Sequence, residues 1–251
     1  MNRTIRHFSL TMLAATLVLG ACKKDDAEPD APTTPGPNTP SQTSSTPGFP
    51  NATGVLWAIN TITSQTIGGM PFELETGLAV AIFPTADNAS TYIDAGTVKV
   101  NDEELTRRSD NTYLSEPTQD SPTGIDLSSG STHWTVAGAN GIPTVDLSPS
   151  FDFPTVGDIT SSSTVTRSSG YTLTVATIST SDSVVFTVGT VVKTKASGTT
   201  SCSFSAAELA AVTAGQSFVQ VSPYAYSHEV ISGKDLYFGK QTARTVSATI
   251  Q

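Results

Sequence analysis

Cysteine and histidine are scarce in this chain. Its 251 residues include two cysteines, Cys22 and Cys202, and three histidines. Two cysteines form one bond at most, so a disulfide framework like that of small secreted domains is excluded. A zinc site with three or four cysteine or histidine ligands is disfavoured for the same reason, and we predict no metal site and no cofactor. The folded part must therefore rest on its apolar core.

Basic residues are also few, with 13 lysines and arginines against 22 aspartates and glutamates. The formal net charge is −9. A surface of this sign repels phosphate backbones, so we do not expect a nucleic acid partner. It also disfavours adsorption to anionic lipid headgroups.

No apolar run is long enough to span a bilayer, which takes about 20 residues. The longest run extends from Phe8 to about Leu19 and follows the positive residues Arg3 and Arg6. A basic start, a short apolar segment and small residues are the order of a secretory signal. We predict a signal peptide over residues 1–21, with cleavage between Ala21 and Cys22.

The end of this segment, Leu-Gly-Ala-Cys at residues 19–22, resembles the lipobox of bacterial lipoproteins. The resemblance implies that the Cys22 thiol takes a diacylglyceryl group, that a peptidase cuts before Cys22, and that the new amine is acylated, for example with palmitate. Burial of acyl chains contributes about 0.8 kcal/mol per CH₂, so two chains give stable anchoring. The alternative is an ordinary signal peptide with a chance cysteine at its end.

The charged stretch Lys23, Lys24, Asp25 and Asp26 follows directly. It resembles the export signal behind the lipidated cysteine of bacteroidete-type surface lipoproteins. The resemblance implies a lipid-anchored protein on the outer face of the outer membrane. A solvated charged stretch is the alternative, and the protein would then face the periplasm.

Residues 22–50 combine the predicted lipid site with a proline-rich segment that has almost nothing apolar to bury. Such a segment cannot offset its ordering entropy, so we expect a disordered tether. Its reach would be about 85 Å when fully extended and about 30 Å as a loose coil.

The remaining chain is rich in serine and threonine, and valine, isoleucine and aromatic residues recur in short runs. This composition predicts an all-β fold with two β-sandwich domains, at 51–154 and 155–251. The boundary lies in the glycine- and proline-rich stretch 138–158. The alternative is one large sandwich.

In the first domain, the patterns predict tight-turn geometry at Asn101-Asp102 and place Trp134 and Val136 together on one strand face. Leu105 should face the core. The predicted strands cover residues 54–60, 78–83, 97–100, 103–106, 112–115, 124–127 and 132–137.

The second domain shows cleaner alternation, with strands at 171–175 and 184–188 and with Cys202 and Phe204 facing the core. Ser205 and Glu208 form a capping box that opens a short helix through Val212, ended by Gly215. A turn is expected at Gly233-Lys234. Further strands are predicted at 218–221, 224–226, 236–238 and 242–250.

This order resembles an immunoglobulin-like or fibronectin type III-like sandwich, although the disulfide and core tryptophan of antibody domains are absent. The whole layout resembles uncharacterised two-domain lipoproteins of bacteroidete-type bacteria, and that resemblance supplies no activity.

Candidate catalytic and binding residues are weak. His133 and His228 lack a nucleophile-elbow motif, and we interpret them as surface or satisfied core residues. Trp57 and Trp134 could stack on sugars but lie in apolar runs, which favours core packing. Asp182-Ser183-Val184 resembles the acceptor for periplasmic O-glycosylation, which would modify Ser183; a plain turn is the alternative.

Acidic clusters are the last candidates. Asp87-Asn88 with Asp94, and the group 102–104, lack EF-hand spacing, so solvated loop acids are the better interpretation. The predicted function is a non-enzymatic binding, adhesion or envelope-structural role, with a protein or glycan ligand. The alternative is a surface hydrolase of glycan or peptide.

Overall fold

The computed structural model describes residue 49 and residues 51–67, 70–85 and 88–251. This part of the chain is mostly β-strand with one very short α-helix, which confirms the prediction of a β-rich fold. Within the described residues, no helix has the length and apolar character needed to cross a bilayer.

The strands of the first half begin with a long hairpin, β1 and β2, followed by short strands. In chain order they are β1 (Ala52–Ile67), β2 (Met70–Ile82), β3 (Pro84–Thr85), β4 (Asn88–Tyr92), β5 (Val98–Val100), β6 (Glu103–Glu104), β7 (Thr106–Arg107), β8 (Tyr113–Ser115), β9 (Trp134–Val136) and β10 (Val145–Leu147).

The second half ends in another long hairpin, β16 and β17. Its elements are β11 (Thr164–Val165), a 3-10 turn (Arg167–Ser169), β12 (Tyr171–Thr174), β13 (Ser183–Val188), β14 (Val191–Ala196), β15 (Ser201–Phe204), α1 (Ala206–Leu209), β16 (Gly215–Ile231) and β17 (Lys234–Ile250).

One nine-stranded sheet joins both halves of the chain. Its order is β14-β13-β16-β17-β1-β2-β8-β7, with β11 paired to the end of β17. The two long hairpins lie side by side because β1 and β17 pair in parallel, with Trp57 opposite Gly239. The smaller sheets are β10-β9-β5-β6, β12-β15 and β3-β4.

Two apolar clusters cover one face of this sheet, which we call the inner face. The first cluster combines inner-face residues of β1 and β2 with β5, β9 and β10, and the second combines β13, β16 and the end of β17 with β12 and β15. A polar belt separates them on β17. Along that strand the inner face carries Leu236 and Phe238, then Lys240, Thr242 and Arg244, then Val246, Ala248 and Ile250.

The predicted domain boundary at 154/155 falls between these clusters. The first cluster draws its residues from 51–154 except for the β17 and β16 residues Leu236, Phe238 and Ile231. The second lies wholly within 155–251. The nine-stranded sheet continues across the boundary, and the division into two domains stays a prediction.

Several local predictions are confirmed. Asn101 and Asp102 have φ of 49° and 66°, as a tight turn requires. Cys202 is buried beside Phe204 in the second cluster. The capping box is also present: the Ser205 amide donates to the Glu208 carboxylate at 2.7 Å, and the Glu208 amide donates to Ser205 Oγ at 3.3 Å.

Three local predictions are wrong. Residues 124–127 form one isolated bridge, Gly77 to Gly124, instead of a strand, because Gly124 has φ of 66° and turns follow it. The helix ends at Leu209, where the Val212 amide bonds back to the Leu209 carbonyl, and Gly215 opens β16. The last hairpin turns at Ser232-Gly233, which carry the positive φ values of 53° and 74°.

Candidate functional site

An aromatic cluster lies on the opposite face of the nine-stranded sheet, which we call the outer face. At its centre the Trp57 indole lies flat on Gly239, where an added Cβ would come within 2.0 Å of the ring. Glycine is therefore required beneath it. Trp57 Nε1 donates to Gln241 Oε1 at 2.9 Å, and the Tyr224 ring packs edge-on with centroids 5.5 Å apart.

Phe49 joins this cluster from outside the sheet. Its ring centroid lies 5.7 Å from Trp57, 5.5 Å from Tyr226 and 4.9 Å from Tyr237. Phe49 belongs to the predicted tether, so that segment meets the folded part at the aromatic cluster. Trp57 is only 7% exposed, which confirms core packing over an open sugar platform. Trp134 is fully buried in the first cluster, which confirms core packing for this tryptophan as well.

His133 and His228, the histidines among the described residues, each pair with a carboxylate on a neighbouring strand. His228 stacks on Tyr237 with ring centroids 4.6 Å apart, and its Nε2 lies 2.7 Å from Asp235 Oδ1. His133 Nε2 lies 2.8 Å from Asp146 Oδ1. In the part of the chain that the structure describes, no hydrogen bond joins either imidazole to a serine hydroxyl, so neither forms a nucleophile–base pair.

An apolar stripe continues along the outer face of β2. Met70, Phe72 and Leu74 alternate on this strand and are 72%, 51% and 42% exposed. They share the face of Trp57 because Leu78 and Val80, further along β2, lie opposite Ile59 and Trp57. A run of large apolar side chains left in water on a folded protein marks an interaction surface.

Beside the stripe, β2 is an open edge of the sheet. β8 pairs only with residues 79–81, and the loop at 123–125 reaches only Gly77. Among the described residues, none pairs with Met70–Thr76 on that side. The structure therefore places unpaired strand backbone next to exposed apolar side chains.

The inner face of the same stretch is acidic. Arg244 Nη1 lies 2.5 Å from Glu73 Oε1 and 3.0 Å from Asp158 Oδ1, and donates to Ser64 Oγ at 3.2 Å. Hydrogen bonding from Arg244, with a smaller contribution from Ser64, lowers the pKa of Glu73 below its usual value. Glu75 borders a cleft of about 280 Å³ between the two apolar clusters. Two carboxylates, those of Glu73 and Asp158, thus contact one guanidinium.

A buried lysine of β17, Lys240, binds the adjoining loops through hydrogen bonds. Lys240 is 2% exposed, and its Nζ donates to the carbonyls of Phe151 at 2.6 Å and Gly130 at 3.0 Å. It also lies 5.2 Å and 5.4 Å from the ring centroids of Phe151 and Phe153. Burial lowers the pKa of Lys240, and the charge of Asp152 opposes that shift.

A second cleft, of about 640 Å³, lies beside Asp94 and Arg107. Arg107 Nη1 contacts Asp94 Oδ2 at 2.9 Å, and Tyr113 donates to Asp94 Oδ1 at 2.8 Å. Burial, with Asp94 as acceptor, raises the pKa of Tyr113 to about 12. These bonds occupy the Asp94 carboxylate as a structural acceptor.

The other predicted sites have the following positions. Ser183 begins β13, half-buried and opposite Tyr224 instead of in a free turn, and its O-glycosylation stays a prediction. Burial raises the pKa of the Cys202 thiol, which fits its core position. Asp87 is outside the described residues. Within those residues, no three histidine, cysteine or carboxylate groups are placed to hold a metal ion.

No family model, curated protein or solved structure matches this chain. The geometry above and the N-terminal residues are therefore the only guides to function. Cys22, the cleavage site at Ala21 and the stretch Lys23–Asp26 lie outside the described residues.

The apolar stripe and open edge were missed by the sequence analysis. A signal was present, since Phe72 and Leu74 alternate with Glu73 and Glu75 in the pattern of a strand with one apolar face. Gly68-Gly69 directly before this stretch is a turn signal, which would set Met70 at the start of a strand.

Proposed function

We propose that this protein is a bacteroidete-type surface lipoprotein that binds a protein partner of the cell envelope without catalysing a reaction. The lipid on Cys22 anchors it in the outer membrane, and the tether over 22–50 carries the folded part away from the headgroups. The apolar stripe of Met70, Phe72 and Leu74 is the binding surface.

The anchor is supported by the order of the N-terminal residues. The N-terminal segment has the order of a lipoprotein signal peptide: basic Arg3 and Arg6, then the apolar run, then two small residues and Cys22. The net negative charge of the chain leaves lipid as the evident route to a membrane.

The anchor predicts the fate of radiolabelled fatty acid in cells. The Cys22→Ser protein should take up no label and should be soluble or keep its signal uncleaved, because the acceptor thiol is missing. The Cys202→Ser protein is the matched control and should be labelled like the natural chain. Label on the Cys22→Ser protein would overturn the anchor while leaving the binding surface untouched.

The single observation that carries the binding role is the exposed apolar stripe. Full burial of a phenylalanine, leucine or methionine side chain contributes about 1.5–3 kcal/mol, so three together can hold a partner. Monomeric proteins seldom leave such a run in water unless it binds something.

The stripe predicts contact with a partner in intact cells. A photo-crosslinking benzoylphenylalanine in place of Phe72 should give a discrete adduct, whereas the same group in place of exposed Ser197 should not. Leu74→Ser should reduce the adduct at least about tenfold, the equivalent of 1.4 kcal/mol. Val230→Ser is the matched control, since Val230 is also exposed on the outer face at the far end of the sheet. Equal adducts at positions 72 and 197 would contradict the role of the stripe.

We also propose that each half of the folded part is sandwich-like, with the C-terminal half of generic immunoglobulin-like type. Two observations support this. The second cluster holds Leu173 and Phe204 of the β12-β15 sheet against Phe186 of the large sheet. The first holds Trp134 of the β10-β9-β5-β6 sheet against Leu56.

A further inference from the structure

We infer that the open edge of β2 binds a partner segment by strand addition, and that this segment alternates apolar with basic residues. This inference rests on the proposed function, because it names the partner of the same surface. It adds a backbone interaction that the apolar stripe alone does not require.

The direction of the free backbone groups follows from Gly77. Its N–H donates to the Thr123 carbonyl at 2.8 Å and its carbonyl accepts from the Ile125 amide at 3.0 Å, so both point away from β1. Backbone groups alternate sides along a strand, and β2 pairs with β1 without a bulge from Met70 to Ile82. Glu75 and Glu73 therefore also direct N–H and C=O to the open side.

Pro71 falls in the same series but has no N–H, so it offers a carbonyl alone. The open edge thus presents two donors and three acceptors between Pro71 and Glu75. Such a row of unpaired groups is a template for another strand. Main-chain bonds of this kind give affinity in strand-addition complexes, and alternate side chains give specificity.

The side chains of the edge decide which segment fits. Phe72 and Leu74 project to the outer face, so the neighbouring residues of an added strand on that face should be apolar. Glu73 and Glu75 project to the inner face, where the one guanidinium of Arg244 contacts both Glu73 and Asp158, and among the described residues no ion pair includes Glu75. Basic residues on the inner face of the added strand would therefore pair with the carboxylates of Glu73 and Glu75.

A second copy of the same edge fits less well. Two antiparallel copies would bring acidic inner-face residues of one edge against those of the other, and opposed like charges destabilise a strand pair. The charge of the whole chain, −9, also favours a basic partner over another copy.

The experiment uses the full chain and synthetic seven-residue peptides. The probe alternates valine with lysine, and the control replaces each lysine by glutamate. We expect the lysine peptide to bind at least tenfold more tightly by fluorescence anisotropy, with the difference reduced at high salt. Equal binding of both peptides, or concentration-dependent dimerisation that excludes the peptide, would overturn the proposed partner.

Backbone methylation separates strand addition from contact with the stripe alone. N-methylation of the lysines should abolish binding if the peptide lies antiparallel, and N-methylation of the valines should do so if it lies parallel; in each case the other set should be tolerated. If neither set matters while Leu74→Ser still weakens binding, strand addition is wrong and the proposed binding surface stands. If Leu74→Ser has no effect either, both are wrong.

A charge reversal on the protein completes the test. Glu75→Lys should weaken the lysine peptide about tenfold and strengthen the glutamate peptide. Glu103→Lys carries the same charge change on exposed strand β6, away from the edge, and should leave both affinities within twofold. An equal effect of the two variants would show that overall charge, and not the edge, selects the peptide.

Discussion

Replacing Lys240 by methionine is expected to lower the free energy of unfolding by about 3 kcal/mol. Methionine keeps most of the apolar stem but donates no hydrogen bond. The carbonyls of Gly130 and Phe151 would then be left without their donor in a buried site, at about 1–3 kcal/mol each. Urea unfolding followed by circular dichroism measures the change. Lys234→Met is the matched control, because Lys234 is exposed on the same strand and should change stability by less than about 0.5 kcal/mol.

The same pair of proteins should differ in its dependence on pH. Burial lowers the pKa of Lys240, so between that pKa and the ordinary value near 10.4 the unfolded chain binds more protons than the folded one. Stability contributed by Lys240 therefore increases as pH rises through this window. The gap between the natural chain and the Lys240→Met protein should be wider at pH 10 than at pH 7. A Lys240→Met protein as stable as the natural chain at both pH values would show that the hydrogen bonds of the buried amine do not stabilise these loops.

Gly77→Ala is expected to cost about 3 kcal/mol, at the upper end for an added methyl group. An alanine Cβ would lie 1.9 Å from the carbonyl oxygen of Ile125, and backbone cannot move aside as a side chain can. The loop at 123–127 must shift, which weakens its two hydrogen bonds to Gly77 and loosens Ile125 and Leu127 in the first cluster. Urea unfolding gives the change in stability.

Amide hydrogen exchange identifies the region that Gly77→Ala destabilises. The Ile125 amide, which donates to Gly77 O, should exchange faster in the Gly77→Ala protein, whereas the Val188 amide in the second cluster should be affected only through global unfolding. Thr76→Ala changes the adjacent residue of β2 and serves as the control. Unchanged protection of Ile125 with unchanged stability would contradict the close backbone approach of Gly77 and Ile125.

Local patterns in the sequence were sufficient for much of the fold. Alternation placed Cys202 and Phe204 in the core, and the spacing of Ser205 and Glu208 identified the capped turn. Such signals depend on residues a few positions apart. The two-residue period of a strand predicts the face of the sheet on which a side chain lies, and the capping residue predicts where a helix begins.

The partners of the long strands could not be predicted in this way. Alternation does not state which strand lies alongside, and the β1–β17 pair joins residues about 180 positions apart. Lys240 on the inner face also broke the apolar pattern of β17 between residues 238 and 242, so one strand was predicted as two pieces, and Thr242 and Arg244 continue the same polar belt. Their role depends on Phe151, Gly130 and Glu73, which lie far away in the chain.

The candidate site escaped prediction for a related reason. An apolar residue on a strand is expected to face the core, and only the full sheet shows that nothing described covers Phe72 and Leu74. A strand edge is open when no other strand pairs with it, and the sequence of β2 alone does not show whether such a strand exists.

The parallel pairing of β1 with β17 also fixes when the molecule can fold. Among the described residues β1 is the first strand and β17 the last, yet they are adjacent at the centre of the sheet. A chain emerging from a ribosome cannot form β17 until residues 234–250 have been released. Contacts this distant in sequence form slowly, because the entropy of closing the intervening loop must be overcome first. The nine-stranded sheet therefore closes only after residues 234–250 are available to pair with both β1 and β16.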